Sequence, residues 1–359
     1  MLKKIKKFYK NKKILIIGHT GFKGSWLTLV LKLFGSNLYG ISLDLTSSPS
    51  NYQVSKVGSG IKDYRIDIRD LKKLRKKINS INPDIIFNLA AQSLVRESFK
   101  KPYDTWSTNL IGSLNLLEIL KNRKTKKNVT LVLITSDKCY KNINKSQGYK
   151  EIDVLGGYEP YGASKASVEI LFHSYFQSFF KNDKNIVMTT ARAGNVIGGG
   201  DWSKDRIIPD LVKNYKKKNK LLIRYPNSTR PWQHVLDPIF GYIYLAYMLN
   251  KNRSKINGES FNFGPSIRKN FTVKFLLNRI KNYIPELKWK VSKNKKDYTE
   301  AGLLNLNSKK TLKLIRWKNI IDFDQSIFLT AEWYKAYFEK KDMQKKSIDQ
   351  INNYMKKLN

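Results

Sequence analysis

The chain has 359 residues, 41% of them hydrophobic and 27% charged, and its 68 lysines and arginines against 28 acids give a net charge of +40. That length supports one large domain or two lobes around a sizeable core, and the composition excludes a disordered chain. No apolar run of about 18 residues offers a spanning helix, and the single cysteine, Cys139, excludes an internal disulfide and a cysteine metal cluster.

The opening MLKKIKKFYKNKK reads as a solvated basic lead-in, because the glycines of ILIIGHTGFKG break the apolar run too early for a secretory segment. Lys13–Gly18 is an unbroken Ile/Leu run of strand length, and Ser25–Gly35 is apolar at helical spacing until Gly35 stops it. Asn37–Asp44 and Ile61–Ile68 read as the second and third strands, and Leu71–Asn82 as an amphipathic helix closed by Pro83. Asp84–Ala91 is a fourth strand, Asn109–Asn122 a helix, Val129–Asp137 a fifth strand, Tyr161–Phe180 a long helix and Asn185–Val196 a sixth strand. Strand–helix alternation with wholly apolar strands predicts an α/β fold, a Rossmann-type doubly wound parallel sheet covered on both faces. From about Gly198 the texture changes to loops with Pro, Gly, Trp and Arg. A dinucleotide-binding domain over 1–197 is therefore expected, with part of 235–265 returning to it. A smaller C-terminal α/β substrate lobe over about 198–340 and a polar helical tail over 341–359 complete the division.

Gly18, Gly21 and Gly24 fall between the first strand and the first helix. There they would permit a tight turn, a close diphosphate and close helix–strand packing, with the helix N-terminus facing the phosphates. Thr20, Phe22 and Lys23 belong to the same loop. Asp44 ends the second strand, where a carboxylate accepts from a ribose 2′-hydroxyl and repels a 2′-phosphate, which favours NAD over NADP. Asp67 and Ile68 suit an adenine edge, and the small Ala90 and Ala91 let a cofactor lie near the backbone.

YGASK places Tyr161 and Lys165 four residues apart on one helix face. The lysine ammonium, with a positive nicotinamide, is expected to lower the phenol from about 10, so that Tyr161 takes the proton of a sugar hydroxyl while its carbon gives up hydride. Lys165 also holds the nicotinamide ribose. Ser136, Asp137 and Lys138 leave the C-terminal end of the fifth strand, where open α/β sheets place their sites. Ser136 can bond the hydroxyl that Tyr161 deprotonates. Asp137 points to a second proton transfer, which a simple alcohol oxidation or epimerisation does not need.

Together these stretches resemble the extended short-chain dehydrogenase/reductases, and within them the CDP-glucose branch of the nucleotide-sugar 4,6-dehydratases. The likeness runs from about Lys13 to Phe338 and is most specific in GHTGFKGSWL, TSDKCY, YGASK, ARAGNVIGGGDW, DRIIPD and TRPWQHV. It implies an NAD-dependent hydro-lyase that forms CDP-4-keto-6-deoxyglucose for surface-polysaccharide deoxysugars. Hydride would leave C4 with Tyr161 as base, water would leave C6 with a desolvated Asp137 as acid, and the hydride would return to C6. In the dTDP-glucose relatives a glutamate follows the aspartate as the C5 base. Here Lys138 stands in its place, so the base is Lys138 or another group. The resemblance also implies a homodimer, or a tetramer built from it, through the helices around Asn109–Asn122 and Tyr161–Phe176.

Asn195, just past the sixth strand, is placed to bond the sugar or its diphosphate. Arg206 and Arg230 suit the diphosphate itself, and Trp232 and His234 are expected to wall the pocket. His19 reads as a cofactor-loop residue and Cys139 as a buried filler. The three histidines, His19, His173 and His234, match no zinc spacing, so no metal is expected. The lysines are scattered along the whole chain beside many asparagines and isoleucines, without a nucleic-acid-binding motif. The charge is therefore expected to decorate solvated faces of a cytoplasmic enzyme rather than to bind nucleic acid or membrane. A nucleotide-sugar 4-epimerase is the rival enzyme. A non-catalytic dinucleotide- or polyanion-binding protein is the rival of another class, and it would have no use for Ser136, Tyr161 and Lys165 together.

Overall fold

Seven strands form one wholly parallel sheet in the computed structural model of the chain, which describes residues 1–45, 47–265, 271–292 and 303–358. They are β1 (Lys13–Ile17), β2 (Asn37–Ser42), β3 (Lys62–Arg65), β4 (Ile85–Asn88), β5 (Val129–Ile134), β6 (Ile186–Ala193) and β7 (Ser260–Phe263). Their order is β7-β6-β5-β4-β1-β2-β3. The chain thus changes direction across the sheet between β1 and β4, where open α/β sheets open a ligand crevice.

The unbroken apolar runs have a two-sided reason. Successive strand side chains point to opposite faces: Ile14 and Ile16 of β1 enter one core, Leu15 and Ile17 the other, and β4 divides Ile85 and Phe87 from Ile86 in the same way. One core is closed by α1 (Leu2–Tyr9), α2 (Phe22–Leu33) and later helices. The other is closed by α3 (Leu71–Ile81), α4 (Gly112–Lys121) and α5 (Pro160–Tyr175). Asp70 caps α3 by accepting from Lys73 N, and Asn82 ends it in the left-handed region just before Pro83. One π-helical turn, Ser107–Ile111, leads into α4, and another, Phe176–Phe180, continues α5.

After β6 the chain runs through α6 (Ile207–Lys216), returns with α7 (Leu236–Lys251) onto β5 and β6, and adds β7 beside β6. Short pairs form beyond the sheet: Val196–Ile197 with Gln233–His234, Leu221–Ile223 with Trp289–Val291, and Thr229–Arg230 with Phe271–Thr272. The helices α8 (Phe323–Phe338) and α9 (Met343–Lys357) complete the described chain. Among the described residues no helix is long and apolar enough to cross a membrane.

Three expectations are corrected. The basic lead-in is not solvated, because Leu2, Ile5 and Tyr9 recur at helical spacing and dock α1 on the core, with Tyr9 Oη donating to Ile243 O at 2.7 Å. The tail is likewise no loose polar helix: Met343, Ile351, Tyr354 and Met355 of α9 are buried. The third strand ends at Arg65 rather than Ile68, and the Asp67 carboxylate instead accepts from the backbone N of Arg69 at 2.8 Å.

Candidate active site

A cleft of about 1160 Å³ opens over the C-terminal ends of β1, β4, β5 and β6. The turn from β1 to α2 is shaped by its glycines. Gly18 has φ +88°, and a Cβ there would meet Ala90 N at 2.8 Å. A Cβ on Gly24 would lie 2.1 Å from Gly18 O. Gly21 caps α2 and is exposed, with no atom nearer than 3.4 Å to a Cβ placed on it. The turn thus packs tightly behind and stays open in front, beside the first N–H groups of α2, which have no intrahelical acceptor. Those residues fit a dinucleotide diphosphate. Thr20 Oγ1 lies 2.6 Å from Ser42 Oγ and fixes the turn to β2, while His19, fully buried, meets Asp63 at 2.9 Å.

Along one end of the cleft lie Asp44, Asp67, Ile68, Ala90 and Ala91. The Asp44 carboxylate is 96% exposed and 3.4 Å from Arg65 Nε, whose guanidinium also holds Asp63. Asp67 is clasped by Arg69, which lowers its carboxyl from the usual range. Phe22, Lys23, Tyr161 and Lys165 line the same cleft, so the predicted cofactor residues share it.

The strand end of β5 delivers Ser136, Asp137 and Lys138. Asp137 is buried, and its two oxygens accept from Ser136 Oγ and Asn195 Nδ2, each at 2.9 Å. Asn195 therefore positions Asp137 as well as lining the cleft. Gly194 makes this possible, since a Cβ there would stand 1.8 Å from Asp137 Oδ2. Lys138 is half-buried at the cleft wall.

Tyr161 is buried at the cleft. Burial pushes its phenol up to about 12, a shift that the hydrogen bond with Ser136 and the charge of Arg206 only partly oppose. Lys165 is itself lowered to about 8 by burial, with Glu169 pulling the other way, and its Nζ donates to Ile134 O at 3.3 Å.

On the lobe side, Arg206 pairs with Asp201 at 3.0 Å and donates to Ser93 at 3.1 Å. Arg230 is buried at the cleft and donates to Thr229 O at 2.7 Å. Trp232 serves both readings open to it, since it packs in the core and lines the cleft, with a buried indole N–H that has no acceptor among the described residues. His234 does not wall the pocket. It is fully buried behind it, edge-on to Trp26, and lowered to about 3 by desolvation.

Several residues of the site escaped the sequence. Asn109, in the π turn before α4, donates to Ser164 Oγ at 2.8 Å and accepts from Gln92 N at 2.8 Å, tying the helix of Tyr161 to the loop after β4. Beneath Lys165, Glu169 and Arg192 form a buried ion pair at 2.8 Å, with Thr135, Thr190 and Ser260 also donating to Glu169. Those partners hold Glu169 down to about 2 against its burial. A helical polar position and an arginine inside an apolar strand carry no local signal of each other.

A family model described as GDP-mannose 4,6 dehydratase matches residues 15–329. The chain is 38% identical over 355 residues to the CDP-glucose 4,6-dehydratase of Salmonella typhimurium, covering 98% of each. Among solved structures it is similar to an epimerase from Methanothermobacter thermautotrophicus, with TM-score 0.81, 21% identity, and 96% and 98% of the two chains covered. It is also similar to the dTDP-glucose 4,6-dehydratase of Bacillus anthracis in complex with NAD, with TM-score 0.72, 20% identity, and 93% and 99% covered.

Proposed function

The chain belongs to the GDP-mannose 4,6 dehydratase family, and on that premise we propose that it is an NAD-dependent hydro-lyase converting CDP-glucose to CDP-4-keto-6-deoxyglucose. The observation that carries the reaction type is Asp137, buried beside Ser136 and Tyr161 in the cleft that also holds the glycine turn. The likeness to the Salmonella typhimurium enzyme supports the cytidine nucleotide.

NAD, when bound, supplies a hydride acceptor for C4 and a donor for C6. The chain's own residues do the rest. Tyr161 takes the C4 hydroxyl proton, with Ser136 holding that oxygen. Because burial is the main cause that holds the phenol up at about 12, the positive charge of a bound oxidised nicotinamide must help to lower it. Asp137 delivers a proton to the departing C6 hydroxyl, fixed in aim by Asn195. Lys138 is our choice for the C5 base, which requires its neutral form. Lys165 holds the nicotinamide ribose, and the glycine turn with α2 holds the cofactor diphosphate. Arg206, Arg230 and the free indole N–H of Trp232 are assigned to the sugar nucleotide. The lobe beyond β6 is read as the substrate side and the sheet domain as the cofactor side. Cys139 is the chain's one cysteine, so the fold relies on no internal disulfide, which suits a reducing cytoplasm. A homodimer through α4 and α5 is supported by exposed apolar side chains on and beside them: Ile111, Ile170 and Phe179.

The test is direct. The purified protein is incubated with NAD⁺ and CDP-, dTDP-, UDP- or GDP-linked hexoses, and products are read by alkali-induced 4-keto absorbance and by mass. Loss of one water from CDP-glucose alone is expected. Dehydration of a different nucleotide sugar would correct the substrate, and an unchanged mass with inverted C4 would make the protein an epimerase.

A further inference from the structure

Lys23 stands apart from the other cations of the cleft. It is the second residue of α2, between Gly21 and Gly24 of the turn. Its Nζ lies 6.0 Å from the centroid of the buried Tyr242 ring on α7, within electrostatic reach of Asp137, Lys165 and Arg206. That is the end of the cleft where Ser136 and Tyr161 converge. Arg206 is anchored by Asp201 and Lys165 by the Ile134 carbonyl. Among the described residues no hydrogen bond or ion pair anchors the Lys23 ammonium. The carboxylate in its reach, Asp137, already accepts from Ser136 and Asn195. Burial and the two like charges lower Lys23 to about 8. A cation so placed acts strongly on any charge brought beside it.

We propose that Lys23 biases a bound dinucleotide toward its reduced form, because its ammonium opposes the positive charge of an oxidised nicotinamide and not the neutral reduced ring. The inference rests on the reading of Tyr161 and Lys165 as the nicotinamide end. When the C4–H bond breaks, its electron pair and hydrogen pass as hydride to the ring, which goes from +1 to neutral, and the hydroxyl proton passes to Tyr161. A fixed cation nearby therefore disfavours the oxidised cofactor and draws hydride from the sugar. A lysine serving only as a diphosphate anchor would act equally on both forms, which carry the same diphosphate.

Binding separates the two roles without catalysis. NADH is titrated by its fluorescence and NAD⁺ by competition, on the wild type, Lys23→Met and Lys23→Arg. Lys23→Met is expected to tighten NAD⁺ relative to NADH by about tenfold, and Lys23→Arg, which keeps the charge, to keep the wild-type ratio. Lys23→Gln repeats the measurement should the methionine variant fail to fold. An unchanged ratio in the neutral variants, with both forms weakened together, overturns the proposal and makes Lys23 an anchor. Failure of the wild type to bind either form overturns the cofactor reading beneath it.

Discussion

At the scale of the residue, the proposed dehydration turns on where one carboxylate sits. Asp137 occupies the space that a side chain at Gly194 would fill, and Ser136 and Asn195 hold its two oxygens. Asp137→Asn keeps the size and the cleft but cannot deliver a proton to the C6 hydroxyl. Turnover should fall by about 10²–10⁴, while NADH absorbance still appears on adding substrate. Loss of that absorbance as well would move Asp137 from the elimination to the oxidation. Lys138→Met should abolish exchange of the C5 proton with deuterated solvent, and retained exchange would pass the base to another group. Ser136, Asp137, Tyr161 and Lys165 were legible because each carries reactive chemistry at a strand end or at helical spacing. Gly194 and the positioning role of Asn195 were not, since nothing local says which side chain will lie across a glycine. His234 misled for a related reason: an imidazole next to TRPWQ reads as polar, while the register of its short strand turns it into the core.

At the scale of the element, the ends of the described chain show how charge can hide periodicity. Leu2, Ile5 and Tyr9 are spaced three and four apart, yet seven lysines within the first thirteen residues drew the eye to solvent. Each such buried Leu or Ile contributes roughly 1.5–3 kcal/mol, enough to seat a short helix. The helix of the tail was expected, but its buried face was hidden in the same way. It is secured by Tyr354, which donates to Asp237 Oδ1 at 2.8 Å, while Ile320 N donates to the same oxygen at 3.0 Å. Burial lifts the Asp237 carboxyl to about 7, against about 3.9 in an unfolded chain. Between those values the folded protein holds a proton that the unfolded chain releases, so stability should fall as pH rises from about 4 to 7 and then level off. Asp237→Asn should remove that slope, gaining about 1–3 kcal/mol at pH 8.5 relative to pH 4.5. Thermal melting of both proteins at the two pH values would show it, and an unchanged difference would mean that the group titrates normally.

At the scale of the whole molecule, the parallel sheet and its two-sided burial were written in the sequence, because parallel strands covered on both faces need unbroken apolar runs. The return of the chain from the lobe was legible too, since part of 235–265 was expected back at the sheet and Ser260–Phe263 pairs there with β6. The surface holds a further expectation. Ile170, on α5, is 58% exposed and Ile111, in the turn before α4, 43%. Ile170→Lys should convert a dimer to a monomer in sedimentation at micromolar concentration, with little change in melting of the monomer. A wild type that already sediments as a monomer would remove the dimer.

The late return of β7 also sets the order of events during synthesis. All eight residues of β6 are buried in the finished protein, but its outer neighbour lies some 65 positions downstream of its last residue. Until the ribosome has released those residues, β6 is a strand destined for full burial with one open hydrogen-bonding edge, the kind of edge that recruits other chains. The nascent protein is therefore most vulnerable to aggregation while its lobe is being made. A slow stretch of translation there would prolong the danger, and a chaperone would have most to do in that interval.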